Sequence, residues 1–174
     1  MKLDLSLIGW THTVACVCAL AAGALVLTGP KGTSRHRICG QFYLIAMLAT
    51  NLTALAIYRQ GVFLRPHGFA IAALAAITLG FICVRFRWPR GYWLNAHLTC
   101  MVTSYYILIG GGVNEVFLRV RALHAMAPDV NHSPLVGMTH LVVMAGFVAL
   151  VVYFNVRHWR RRSVAQPPSV ATAS

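Results

Sequence analysis

The sequence predicts an all-α fold, an integral membrane helical bundle of about five transmembrane helices, and three observations carry that expectation. Hydrophobic residues make up 58% and charged residues only 10% of 174 positions, too little polar surface to cover a soluble globule of this size. The apolar residues gather in runs that match a bilayer, since about 20 residues at a rise of about 1.5 Å each span a hydrocarbon core of about 30 Å. The basic residues fall in the short connections between those runs instead of along one soluble face.

The runs cover residues 7–28, 39–58, 68–86, 92–112 and 135–156. Residues 1–162 form one bundle on this reading, and the Pro-, Ser- and Ala-rich tail 163–174 is expected to be disordered. The opening Met1 to Trp10 resembles the start of a secretory signal, but its only positive charge is Lys2 beside Asp4. Its apolar run continues to Thr28 and stops at Gly29-Pro30, so a retained first helix is expected. Thr33 or Ser34 is placed to cap the second helix, whose stripe carries Tyr43, Met47 and Asn51, with Asn51 expected in a packing role. The third run is alanine-rich, with Cys83 as a small buried hydrophobe and the preceding Pro66-His67 expected at the surface. Trp88, Tyr92 and Trp93 supply aromatic anchors at one interface. The fourth run ends in Gly110-Gly111-Gly112, expected to stop the helix. The segment 113–134 mixes Val116, Phe117, Val120 and Leu123 with Arg119, Arg121 and His124, which suits a short helix lying in the interface.

Charge gives an expected orientation. Five alternating helices put Lys31, Arg35, Arg37, Arg85, Arg87, Arg90, Arg157, Arg160, Arg161 and Arg162 on one side. The other side holds Lys2, Arg59, Arg65, Arg119 and Arg121 with all three acids, Asp4, Glu115 and Asp129. The more basic side is expected to face the cytoplasm, leaving the N-terminus out and the C-terminus in. The net charge of +12 is therefore a matter of topology, and nucleic acid is not an expected partner.

The histidines carry the functional argument, because an ionisable side chain in a membrane helix is costly and usually turns toward a partner. His97, Met101, Ser104 and Leu108 share one stripe of the fourth run, with Cys100 and Thr103 beside it. His12 and His140 lie about five residues below one face on helices running the same way, at about 1.5 Å per residue, while His97 and His36 lie at or near the other face. These are two depth-matched pairs, at levels expected to be about 15 Å apart. Two imidazoles on facing helices at one depth suit axial ligation of a planar porphyrin. The leading expectation is a haem b protein whose two levels pass electrons across the bilayer, with a quinone or a redox protein as partner.

No Cys-x-x-Cys-His sequence is present, so such a haem is held without covalent attachment. HExxH, P-loop and GxSxG sequences are absent too. The groupings His12/Cys16, His36/Cys39 and His97/Cys100/Met101 also suit soft metals, which makes copper the second site hypothesis. A rival of another class is a non-redox membrane component, such as an assembly factor, sensor or scaffold, with structural histidines.

His12 with small residues behind it, the entry Ser34-Arg-His-Arg-Ile-Cys-Gly40 followed by Tyr43 and Met47, and the group His97, Met101, Ser104 and Tyr105 resemble an uncharacterised family of predicted bacterial polytopic membrane proteins. The resemblance implies a bacterial inner-membrane bundle with these histidines as signature positions, joined by Met101 and Tyr105, and it supplies no activity. This chain departs from the family pattern at Leu98, where an arginine is usual, and at Cys100, where a tryptophan is usual. The two-level histidine layout is also similar in architecture to diheme transmembrane b-type cytochromes.

Overall fold

The computed structural model describes residues 7–57 and 65–165, with side chains from 7–57 and 67–157. Every regular element among them is a helix: α1 (Leu7–Thr28), α2 (Ser34–Ala56), α3 (Arg65–Phe86), α4 (Trp93–Arg119), α5 (Arg121–Met126) and α6 (Pro134–Ala165). All except α5 are long and apolar enough to cross a membrane.

Local chemistry explains the ends. The α1 run closes with the Gly29 amide donating to the Leu25 carbonyl at 2.9 Å, and the Lys31 ammonium donates to the last carbonyls, Val26 and Leu27, at 2.6 Å each. A cation at a helix C-terminus is well placed against the helix dipole. Burial pushes the Lys31 ammonium below its ordinary value. Helix α2 starts at Ser34, five residues before its hydrophobic run, because Thr33 Oγ1 accepts the His36 amide at 3.1 Å as an N-cap. The cap, not hydropathy, sets the start, and it brings His36 into the helix.

Three further boundaries differ from expectation. Helix α4 runs through Gly110–Gly112 to Arg119, since a backbone inside a membrane has no water to bond and keeps its helical partners. Only Arg121–Met126 of the expected interfacial segment forms a separate short helix. His67 is buried, at 3% exposure, instead of lying at the surface. Pro66 in the first turn of α3 is compatible with a helix start, so His67 is carried into the bundle. Of the expected tail, Ser163–Ala165 continue α6 and the remainder lies outside the described residues.

Helices α1 to α4 close a ring, each packing on the next and α4 touching α1, while α6 packs on α4. The core is built from Ala19 and Ala22 of α1, Tyr43, Ala46 and Met47 of α2, Ala73 and Ile77 of α3, and Leu108 of α4. Small residues let the helices approach where a membrane gives no hydrophobic driving force between them. A Cβ on Gly23 would lie 2.4 Å from Tyr105 Cε2, and one on Gly80 would lie 2.8 Å from Met101 Sδ. Large apolar side chains such as Phe42, Ile45, Phe81 and Val142 face outward, as lipid contact requires. One face of the bundle carries the basic α1–α2 and α3–α4 turns, and the opposite face carries α5, Glu115 and Asp129.

Candidate functional site

Helices α2 and α4 both rise from the basic face, on opposite sides of the four-helix ring, with no close backbone approach between them among the described residues. They are joined across the core by the Tyr43 hydroxyl and Ser104 Oγ at 2.8 Å, both buried. His36 lies seven residues before Tyr43, and His97 seven residues before Ser104. Seven residues are nearly two turns, so each histidine falls on the same stripe as the residue that makes the bridge, about 10 Å closer to the basic face. Parallel helices in this register bring His36 and His97 to one level on facing stripes.

The ring nitrogens of this pair are in different states. His97 Nδ1 donates to the Gly80 carbonyl at 2.9 Å, and because a carbonyl only accepts, the Nδ1 proton is fixed and Nε2 keeps its lone pair. That is the arrangement that orients a ligating imidazole. His36 Nδ1 is buried without a hydrogen-bond partner. Gly40, one turn above His36 on the same stripe, has nothing within 4 Å of the position of a Cβ. An unpartnered ring nitrogen on α2 and a pre-oriented imidazole on α4 at the same level suit a flat ligand, and Gly40 leaves open space beside α2.

The other pair is arranged differently. His12 Nδ1 donates to the Thr50 carbonyl at 3.0 Å, with Thr53 Oγ1 also at 3.0 Å, and Cys16 Sγ stands 3.5 Å from Nε2. His140 Nε2 donates to Asn114 Oδ1 at 2.9 Å, and its other side rests near Gly110. Counting along α2 and α4 at about 1.5 Å per residue, Thr50 and Asn114 stand about 21 and 25 Å above His36 and His97. His12 and His140 thus share a level, and the two levels are further apart than the 15 Å expected. The structure does not bring His12 and His140 together. Each fastens its own helix to a neighbour, α1 to α2 and α6 to α4, and α1 and α6 make no close backbone approach among the described residues.

Met101 and Tyr105 serve packing. Met101 Sδ fills the notch at Gly80, on the same part of α3 that takes the His97 bond. Tyr105 donates to the Leu20 carbonyl at 3.0 Å and lies between Tyr43 and Phe147, with ring centroids 6.2 and 5.9 Å away. Asn51 is buried and donates to Met47 of its own helix at 2.7 Å, in keeping with a packing role. Cys83 is buried, and all five cysteines are free thiols. Among the described residues no three His, Cys, Asp or Glu side chains converge to hold a metal ion.

The partners Gly80 and Asn114 are what sequence reasoning missed, whereas Thr50 and Thr53 are polar residues of the kind expected to bond between helices, and they bond His12. Asn114 had a signal, since it lies at the depth of His140 once α4 is allowed to continue. Gly80 had none, because a backbone carbonyl leaves no mark in residue type.

No curated protein and no solved structure matches the chain. A family model described as predicted membrane protein (DUF2306) matches residues 9–155, which is most of the chain and includes His12, His36, His97 and His140. The chain belongs to that family of predicted membrane proteins.

Proposed function

We propose that this membrane protein binds haem b between α2 and α4, through His36 and His97, and exchanges electrons at the basic face. The observation that carries the reading is the register of the Tyr43–Ser104 bridge, which aligns a pre-oriented His97 with a His36 whose buried Nδ1 has no partner. Haem supplies one-electron chemistry when bound. The residues of the chain do the rest: Gly80 fixes the His97 tautomer, the Tyr43–Ser104 bridge holds the two helices in register, and Gly40 leaves the opening. The reading takes the basic face as cytoplasmic, in a bacterial inner membrane, with a quinone or a redox protein as exchange partner. His12 and His140 stand on α1 and α6, which make no close backbone approach among the described residues, so a single haem is the reading adopted.

The test is spectroscopic. Full-length protein purified from haem-supplied cells is expected to show a Soret band and a sharp α-band on reduction, with the pigment extracted by acidified acetone. His36→Ala and His97→Ala should each remove both bands, and Gly40→Leu should reduce haem content with both histidines intact. A colourless preparation from haem-replete membranes overturns the proposal.

A second reading is favoured by a specific observation. His12, His97 and His140 each bond a neighbouring helix, as fasteners in a non-redox membrane component would. It predicts no bands, and lower thermal stability in all three variants.

A further inference from the structure

The turn between α3 and α4 forms a cleft of about 640 Å³ lined by Ile82, Phe86, Arg87, Trp88 and Arg90. Its walls divide by chemistry. Ile82 and Phe86 belong to the last turns of α3, at the end of a membrane span, whereas Arg87, Trp88 and Arg90 belong to the connection at the basic face. Arg87 has a φ of 52° and Gly91 one of 86°, so the chain reverses sharply and keeps the two guanidinium groups on one cleft.

These cations have no acidic side chain as partner among the described residues. No Asp or Glu occurs between residues 5 and 114, which includes all of α1, α2 and α3 and most of α4. Glu115 is held by Arg119, and Asp129 by His132, both at the opposite face. The anion that balances Arg87 and Arg90 therefore comes from outside the chain. At the end of a membrane span, the anion present at high local concentration is the phosphodiester of a lipid headgroup, and planar guanidinium groups match phosphate oxygens in paired hydrogen bonds. An apolar wall running from that point into the span suits the first carbons of an acyl chain.

We propose that the Arg87–Trp88–Arg90 cleft is a binding site for an anionic glycerophospholipid of the phosphatidylglycerol type. Zwitterionic lipids share the phosphate, but their ammonium would find no carboxylate on this face. The preference is therefore for headgroups without an amine. This site is separate from the proposed haem site and stands whether or not haem is bound.

The experiment uses full-length protein, with lipid retention followed by native mass spectrometry and thermal unfolding as vesicle-derived phosphatidylglycerol or phosphatidylcholine is added. Wild type is expected to retain and be stabilised by phosphatidylglycerol in preference. The Arg87→Gln/Arg90→Gln double variant should weaken that binding about 25-fold, the product of roughly fivefold per arginine. Arg35→Gln/Arg37→Gln removes the same charge from the neighbouring turn and should leave the preference in place. Equal loss in both double variants means diffuse surface charge and overturns the site. So does equal retention of the two lipids, or an equal stabilisation by inorganic phosphate alone.

Discussion

Gly23→Ala tests how closely α1 is fitted to α4. The added methyl would stand 2.4 and 2.5 Å from Tyr105 Cε2 and Cδ2 and 3.1 Å from Tyr43 Cε2. That is about 1 Å short of a comfortable carbon–carbon contact of about 3.5 Å. The Tyr105 ring has little freedom to retreat, because its hydroxyl is held by the Leu20 carbonyl and its faces meet Tyr43 and Phe147. Overpacking of this kind costs about 1–3 kcal/mol. Swinging the ring away would break the hydroxyl bond at a cost of about 1 kcal/mol, roughly cancelling the gain of replacing a helical glycine by alanine. The expected net loss of about 1–3 kcal/mol corresponds to a fall in Tm of roughly 3–9 °C for a chain of this size. Thermal unfolding in a fixed detergent measures it, with Gly146→Ala as the control, since nothing lies within 4 Å of a Cβ there. Adding Tyr105→Ala should recover most of the clash term, seen as a coupling energy in the double-mutant cycle. A Gly23→Ala protein as stable as Gly146→Ala would refute the packing argument.

Other expectations follow from single bonds. Asn114→Leu leaves His140 Nε2 without its acceptor in the span and should cost about 1–3 kcal/mol, read as a lower Tm. Tyr43→Phe removes the bridge to Ser104, which still donates to the Met101 carbonyl, so a loss of about 1 kcal/mol is expected. If the haem proposal holds, the same change should also broaden the haem spectrum by loosening the register of α2 and α4. The His132 imidazole beside Asp129 holds that carboxyl below its ordinary range, with the Asn131 amide as a further donor. A depressed carboxylate stabilises the fold above its unfolded titration and loses that contribution as pH falls through its folded one. Acidification below the usual carboxylate range should therefore speed amide exchange at Asn131 while leaving the spans protected, and exchange independent of pH, after correction for intrinsic rates, would contradict the pairing.

The fold was legible to the extent that it depends on hydropathy. All five spans are present, and α1 covers the residues expected of it. The errors arose where another force set the boundary. The Thr33 cap that the sequence offered starts α2 ahead of its hydrophobic run, and lack of water in the bilayer carried α4 through three glycines that end helices in soluble proteins. His67 was misplaced because Pro-His looks like a loop until Pro66 is seen as a first-turn residue. The candidate site was partly legible. Counting residues identified four histidines at two levels, since depth depends on sequence position alone. Which ring meets which neighbour depends on helix rotation, and that is set by glycine notches at Gly23 and Gly80 whose effect appears only when the facing side chains, Tyr105 and Met101, are in place.

The contrast between the two histidine levels makes the haem reading more specific than a search for bands. At the level of α5, each imidazole bonds an adjacent helix, so replacing His140 strands the Asn114 amide oxygen inside the span, and replacing His12 removes the side-chain bond between α1 and α2 while the Thr50 carbonyl keeps Thr53 Oγ1 at 3.0 Å. The consequence is mechanical, and His12→Ala or His140→Ala should lower Tm while the spectrum per folded molecule is unchanged. At the basic face, His36 Nδ1 has no protein bond to lose. His36→Ala should therefore leave the apoprotein at least as stable as wild type, and its cost should appear only when haem is present, as loss of the stabilisation that a ligand gives the folded state. A His36→Ala apoprotein that is markedly less stable than wild-type apoprotein would show that this ring holds the bundle together by itself, and the case for an exogenous ligand at that position would fall.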